Sequence, residues 1–225
     1  MPFVALFAAL AACSMGAEQD LVFDVVFLID GSKSALPGFN NFTRFVRDLM
    51  SPYNVGLNGA RVGLIVVAPD IDDQPPPAAN LNSITGEPSL KGNLAVLRDN
   101  FAEFDVSGQL LKYNLQVATS PAFLAPQAGY RSSIESSFDL HYSYHYVNST
   151  MIRFHSQSII QKKQYGIITV GYGEGLDHKK LHSISGGSSC TLMAKDATEL
   201  QSQIKPIQRH IMHADANNGI YCNKV

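Results

Sequence analysis

The sequence predicts an α/β fold, a mostly parallel sheet covered by helices on both faces. Three observations predict it. Continuous Val/Ile/Leu runs without polar alternation, Asp24-Val-Val-Phe-Leu-Ile-Asp30, Arg61-Val-Gly-Leu-Ile-Val-Val67 and Tyr165-Gly-Ile-Ile-Thr-Val-Gly171, read as strands buried on both faces. Segments with helical spacing separate these runs, which is the order a parallel sheet with crossover helices needs. The first run ends in the polar turn Asp30-Gly-Ser-Lys-Ser34, beyond the carboxyl end of a buried strand, where open α/β sheets place their ligand sites.

In chain order, Met1 to Ala17 stands apart. Phe3 to Ala12 is an unbroken apolar run followed by the small-residue stretch Cys13-Ser-Met-Gly-Ala17. That pattern is too short to span a membrane and reads as a cleaved secretory signal peptide, although no basic residue precedes the apolar run. Leu10-Ala-Ala-Cys13 also resembles a bacterial lipoprotein cleavage box. No later segment approaches the ~18 apolar residues of a transmembrane helix, so the mature protein is expected to be secreted, soluble and extracellular.

After the opening strand, Leu36-Pro37-Gly38 leads into a helix to about Met50, with Phe39, Phe42, Val46 and Leu49 on one stripe and Asn41 on the opposite face. Pro52 and Gly56 end it. Arg61 to Ala68 is the second buried strand. Asp70 to Asn80, with three consecutive prolines, is an exposed loop, and Leu81 to Thr85 reads as a short edge strand. Leu90, Leu94, Leu97 and Phe101 restore helical spacing despite Gly92, which costs about 1 kcal/mol relative to Ala. A helix over Gln109 to Ala118 and a loop over Ser120 to Gly129 follow. Ile134 to Tyr142 reads as a strand, although it is rich in Ser, His and Tyr. Ser149 to Lys163 is a helix with Lys162 and Lys163 at its negative end. A strand over Tyr165 to Gly171, a short helix near His178 to Ile184 and a strand near Cys190 to Met193 come next. The last helix starts at Asp196, with Glu199 as part of a capping box. Leu200, Ile204, Ile207 and Ile211 form its stripe, and Pro206 is expected to kink it.

Composition narrows the function. With 45% hydrophobic and 16% charged residues, a chain of 225 residues builds one sizeable core and is not disordered. A net charge of −2 without any Lys/Arg cluster argues against nucleic acid as a partner. Removing the leader leaves two cysteines, Cys190 and Cys222. In an oxidising compartment these pair, or else stay as buried thiols, or leave Cys222 to an intermolecular bond. The sequons Asn41-Phe-Thr43 and Asn148-Ser-Thr150 suit a glycosylated secreted protein.

The turn after the first strand carries the clearest chemistry. Asp30, Ser32 and Ser34 put one carboxylate and two hydroxyls at alternate positions. These hard oxygen donors suit a hard divalent cation such as Mg²⁺. The alternative is a turn and helix entry, in which the same side chains accept from backbone N–H groups.

Together Asp24 to Ser34, Arg61 to Val67, Gly129-Tyr-Arg131, Tyr165 to Gly173, Leu181-His-Ser-Ile184 and the terminal helix with Leu200 resemble a von Willebrand factor type A (VWA) domain, over about Asp20 to Cys222. The resemblance implies a Rossmann-like, doubly wound sheet, non-enzymatic, with a metal-ion-dependent adhesion site on its upper face. Asp-x-Ser-x-Ser supplies one loop of that site, as Asp30, Ser32 and Ser34. The alignment puts Asp105 where the family's second loop has threonine. The family's Thr-Asp-Gly motif is absent from the third loop, where counting lands near Ser143 within His141-Tyr-Ser-Tyr-His145. The implied partner is an extracellular protein ligand, of the matrix or a cell surface, bound with Mg²⁺. A metal-independent interaction or structural module that has lost the site is the alternative.

Other patterns carry less. Gly31-Ser-Lys-Ser34 lacks the glycine that a phosphate-binding loop places before its lysine, and Gly171-Tyr-Gly-Glu-Gly175 is not a dinucleotide fingerprint. His178-Lys-Lys-Leu-His182 lacks the glutamate of a zinc protease helix, so His178/His182, like His141/His145, read as solvated surface pairs. No nucleophile elbow of the Gly-x-Ser-x-Gly type is present.

Overall fold

Strand β2, Asp24–Asp30, lies in the interior of the sheet because its apolar run has no polar face to offer water. Val25, Val26, Phe27 and Leu28 are inaccessible and Ile29 is 1% exposed. In this computed structural model the described residues are 3–9, 21–30, 36–67, 78–100, 137–140, 166–173, 177–185, 188–213 and 222. The expected helices at 109–118 and 149–163 and the loop at 120–129 lie outside them.

Parallel neighbours flank β2. Strand β3, Arg61–Val67, pairs with it through Leu28↔Ile65, Ile29↔Val66 and Asp30↔Val67. Strand β5, Ser137–Leu140, pairs through Asp24↔Ser137 to Phe27↔Leu140. Strand β6, Gly166–Tyr172, runs parallel to β5, and β7, Thr191–Ala194, runs parallel to β6. The strand expected within Ile134 to Tyr142 is thus present as β5, and it is an interior strand despite its composition.

Two strands are antiparallel. The edge strand is β4, Ala78–Ala79, paired through Leu64↔Ala79 and Ile65↔Ala78. The expected strand at Leu81 to Thr85 is corrected to a turn. Asn80 Oδ1 accepts from the Asn82 N–H and the Ser83 hydroxyl, ending the strand, and Leu81 and Ile84 are buried from a turn instead. The other is β1, Phe3–Ala9, inside the segment read as a leader. In the full chain it pairs antiparallel with β6, from Phe3↔Tyr172 to Ala9↔Gly166, and with β2. A leader and a buried strand both require an unbroken apolar run, so hydropathy does not separate them.

Helix α1, Phe39–Met50, follows a 3₁₀ turn at Leu36–Gly38 and buries Phe39, Phe42, Phe45, Val46, Leu49 and Met50. The turn after it is closed by Gly59, where a Cβ would meet the Asn54 carbonyl oxygen at 2.1 Å, so only glycine fits. Helix α2, Glu87–Asn100, packs on α1 and buries Leu90, Leu94 and Leu97. Gly92 is exposed with open space around it, so no contact requires glycine there, and the buried leucines hold the helix despite it. Helix α3, His178–Ile184, packs on β6 and β7. Where it ends, the Ser185 and Thr191 hydroxyls share a buried 2.7 Å hydrogen bond, and Thr169 on β6 donates to the Cys190 carbonyl at 3.4 Å.

The C-terminal helix is two helices, α4, Ala197–Ser202, and α5, Ile204–Met212. Asp196 caps α4 by accepting from the Thr198 and Glu199 N–H groups, while Glu199 reaches back to the Lys195 N–H at 2.8 Å. The break falls at Gln203, one turn before the expected kink at Pro206. The reason is steric: a proline is harmless only in the first turn of a helix, so α5 restarts to put Pro206 there. Gln208 then donates to the Leu49 carbonyl at the end of α1, 3.1 Å away and buried. Cys190 and Cys222 form a disulfide with Cα atoms 5.4 Å apart. A closed loop of 32 residues is worth roughly 3–4 kcal/mol in the chain-entropy model.

His210, on α5, is buried. Burial pushes its imidazole below the ordinary value of 6.5, helped by the Arg209 charge and opposed by a hydrogen bond to the Ser189 backbone. The unfolded chain therefore takes up a proton that the folded chain resists. Stability from this residue is complete well above pH 6.5 and declines as the pH falls through that value. Denaturant midpoints measured across this range should fall for the wild type and show a shallower slope in His210→Gln; equal slopes would refute the assignment.

Candidate functional site

Asp30 is the last residue of β2 and stands opposite Val67, the last residue of β3. After it the chain re-enters the described structure at Leu36 and begins α1 at Phe39. The Asp-x-Ser-x-Ser turn thus spans the gap between a central parallel strand and the start of a helix. Ser32, Ser34 and Asp105 lie outside the described residues, as does Asn148. Among the described residues no group of three or more His, Cys, Asp or Glu side chains gathers around a common point. The donor set itself, one carboxylate and two hydroxyls on the turn, fits a hard divalent cation.

The same end of the sheet carries a contact that spacing did not reveal. Because β6 runs parallel to β5, and β5 to β2, Tyr172 lies at the carboxyl end with Asp30. Its hydroxyl accepts from the Asn41 amide nitrogen at 3.0 Å, joining positions 131 residues apart. Asn41 is half-buried, which corrects its expected place on the outer face of α1. Helical spacing sets a residue's angle about its own axis, but the neighbouring strand decides what that face meets. The bond holds the first turn of α1 against β6, beside the loop. It also occupies the nitrogen to which a glycan on Asn41 would be attached. Gly173, at φ +107°, turns the chain away from β6 and donates its N–H to the Ala194 carbonyl at 2.8 Å.

A cleft of about 450 Å³ opens between α1 and α2, lined by Asn40, Asn41, Arg44 and Arg47 from α1 and Lys91 from α2. Arg47 donates twice to Asp48 Oδ1, at 2.8 and 3.0 Å. Lys91 pairs with Glu87 at 2.6 Å, and its hydrogen bond and charge, with Arg47 adding a little, hold that carboxyl below its usual range. Both pairs are solvent-exposed and therefore weak. Arg44 is exposed on the same face of α1. The sequence contains the three cations without showing that two helices bring them to one cleft.

Tyr172→Phe should lower stability by about 0.5–1.5 kcal/mol, the net worth of one hydrogen bond. Asn41→Ala should cost a similar amount, and the double variant less than the sum, because both remove the same bond. Strict additivity in denaturant unfolding would show that the two side chains act independently.

Comparison with known proteins comes to the same architecture. The family model of the von Willebrand factor type A domain matches residues 24–206. Protein irg-7 of Caenorhabditis elegans is 48% identical over 200 residues, which is 89% of this chain and 9% of that relative. This chain therefore spans less than a tenth of the relative's length. Among solved structures, proximal thread matrix protein 1 from the mussel byssus superposes with a TM-score of 0.63 at 15% identity, over 88% of this chain and 49% of that one. A second structure of the same mussel protein, with a zinc-occupied MIDAS motif, gives 0.58 at 15% identity over 90% and 48%. At such identities the likeness is one of fold.

Proposed function

The chain belongs to the von Willebrand factor type A domain family, and on that premise we propose that it is a secreted module that binds an extracellular protein ligand, of the matrix or a cell surface, through the end of the sheet where β2 stops. Domains of this family are generally adhesion or protein-binding modules and not enzymes. The observation that carries the reading is Asp30 closing a central parallel strand immediately before a loop that feeds α1. In this reading Asp30, Ser32 and Ser34 hold Mg²⁺, with Asp105 supplying a carboxylate from the second loop. The bound ion would supply an open coordination position for an acidic side chain of the partner. The mussel protein with zinc at its own MIDAS motif supports a divalent ion at this end of the fold.

Secretion rests on the leader, Met1 to Ala17. Its removal leaves the sheet continuous, because β5 already joins β2 to β6 by parallel pairing without β1. Asn41 and Asn148 are the glycan acceptors in this reading; a glycosylated Asn41 amide keeps one N–H to donate to Tyr172. The proposed domain runs from about Asp20 to Cys222.

A metal-independent contact is the second reading, and the basic cleft between α1 and α2 favours it. One experiment separates the two. Mature protein is used to capture ligands from native extracellular fluid, with Mg²⁺ in one arm and EDTA in the other, alongside Asp30→Ala and Arg44→Glu. The metal-dependent reading expects capture to be lost, by tenfold or more, in EDTA and in Asp30→Ala. Capture that survives both but is lost in Arg44→Glu would replace it with the cleft.

A further inference from the structure

The geometry points to a second cation site, for a borderline transition-metal ion such as Zn²⁺ or Cu²⁺, chelated by His178 and His182 on the outer face of α3. The pair has i, i+4 spacing, which stacks two side chains on one helix face about 5–6 Å apart at Cβ. Their rings lie nearly parallel, 6° between planes and 6.3 Å between centroids. Both residues are exposed, and among the described residues neither imidazole has a hydrogen-bond or ion-pair partner.

The helix fixes this arrangement from beneath. Leu181 and Ile184 are buried at 3% and 5% exposure, which sets the rotation of α3 and leaves positions 178 and 182 adjacent and outward. The Asp177 carboxylate accepts from the Lys179 N–H at 3.0 Å, and the Asp177 carbonyl accepts from the Leu181 N–H at 3.2 Å, so the first turn is held. The two imidazoles then need only side-chain rotation to converge. With Zn–N bonds near 2.0–2.1 Å, a tetrahedral ion holds two nitrogens roughly 3.3 Å apart, within reach of rings at this spacing.

Two neutral imidazoles select borderline ions and not hard ones, which prefer oxygen. Nothing in the pair supplies the glutamate of a zinc protease helix. The remaining coordination positions are therefore for water or for a side chain of a partner, and the site is structural or bridging. It uses no residue of the Asp30 loop, so it stands whether or not that loop holds Mg²⁺.

The test is calorimetric titration of the chelator-stripped protein with Zn²⁺ and with Cu²⁺, followed in parallel by the imidazole resonances in NMR. In Asp30→Ala, where the first loop has lost its carboxylate, one equivalent should bind, tighter for Cu²⁺ than for Zn²⁺, and the His178 and His182 resonances should move. Excess Mg²⁺ should not compete in that background. His178→Ala and His182→Ala should each weaken binding by about a hundredfold, since either loss removes the intramolecular second bond. Unchanged melting temperatures in EDTA would show that both variants are folded. The inference is overturned if neither ion binds, if Mg²⁺ displaces it, or if His141→Ala/His145→Ala weakens binding as much as the His178 and His182 variants do.

Discussion

Burial of β2 on both faces is the constraint from which the rest of the molecule follows. Five consecutive apolar residues, Val25 to Ile29, have almost no contact with water, so each face of the strand must be covered and each backbone edge paired. Parallel partners answer the second need, through β3 on one side and β5 on the other. Parallel partners in turn demand long crossover connections, and α1, between the parallel β2 and β3, is such a crossover.

What keeps the helices in place is a small set of long-range polar ties laid over that apolar frame. Asn41 reaches Tyr172 at the carboxyl end of β6, and Gln208 reaches the Leu49 carbonyl at the far end of α1. One helix is thus pinned at both ends by distant parts of the chain. The Cys190–Cys222 bond adds a covalent tie to the C-terminal region, close to the Ser185–Thr191 and Thr169–Cys190 hydrogen bonds. Each tie is modest in free energy, yet each selects one orientation of a helix that apolar packing alone would allow to slide. That selection bears on function, because the start of α1 borders the Asp30 loop.

Most strand and helix positions were legible because they depend on local periodicity. The stripe expected of α1 is buried, as are Leu90, Leu94 and Leu97 of α2 and Leu200, Ile207 and Ile211 of the C-terminal helices, whereas Ile204 is only half-buried; Asp196 caps where its sequence context says it should. The departures have specific causes. The edge strand lies at Ala78–Ala79 and not at Leu81 to Thr85, because the Asn80 side chain builds a turn that hydropathy does not register. The C-terminal helix breaks at Gln203 because a proline acts on the turn before it. Phe3–Ala9 reads identically as leader and as strand. At the site, the sequence showed the donor turn, while the tie between Asn41 and Tyr172 and the cleft of Arg44, Arg47 and Lys91 did not show.

By itself, the sequence determined the class of fold, the positions of its long buried strands and the side-chain types of the turn at Asp30. Those properties belong to runs of neighbouring residues, whose apolar pattern and side-chain types are independent of what they later touch. Only the tertiary structure decided that Asn41 faces β6, that α1 and α2 enclose a basic cleft, and that His178 and His182 stand side by side and exposed. Those are relations between surfaces, and a relation across 131 residues exists only once the sheet has set the distance between them.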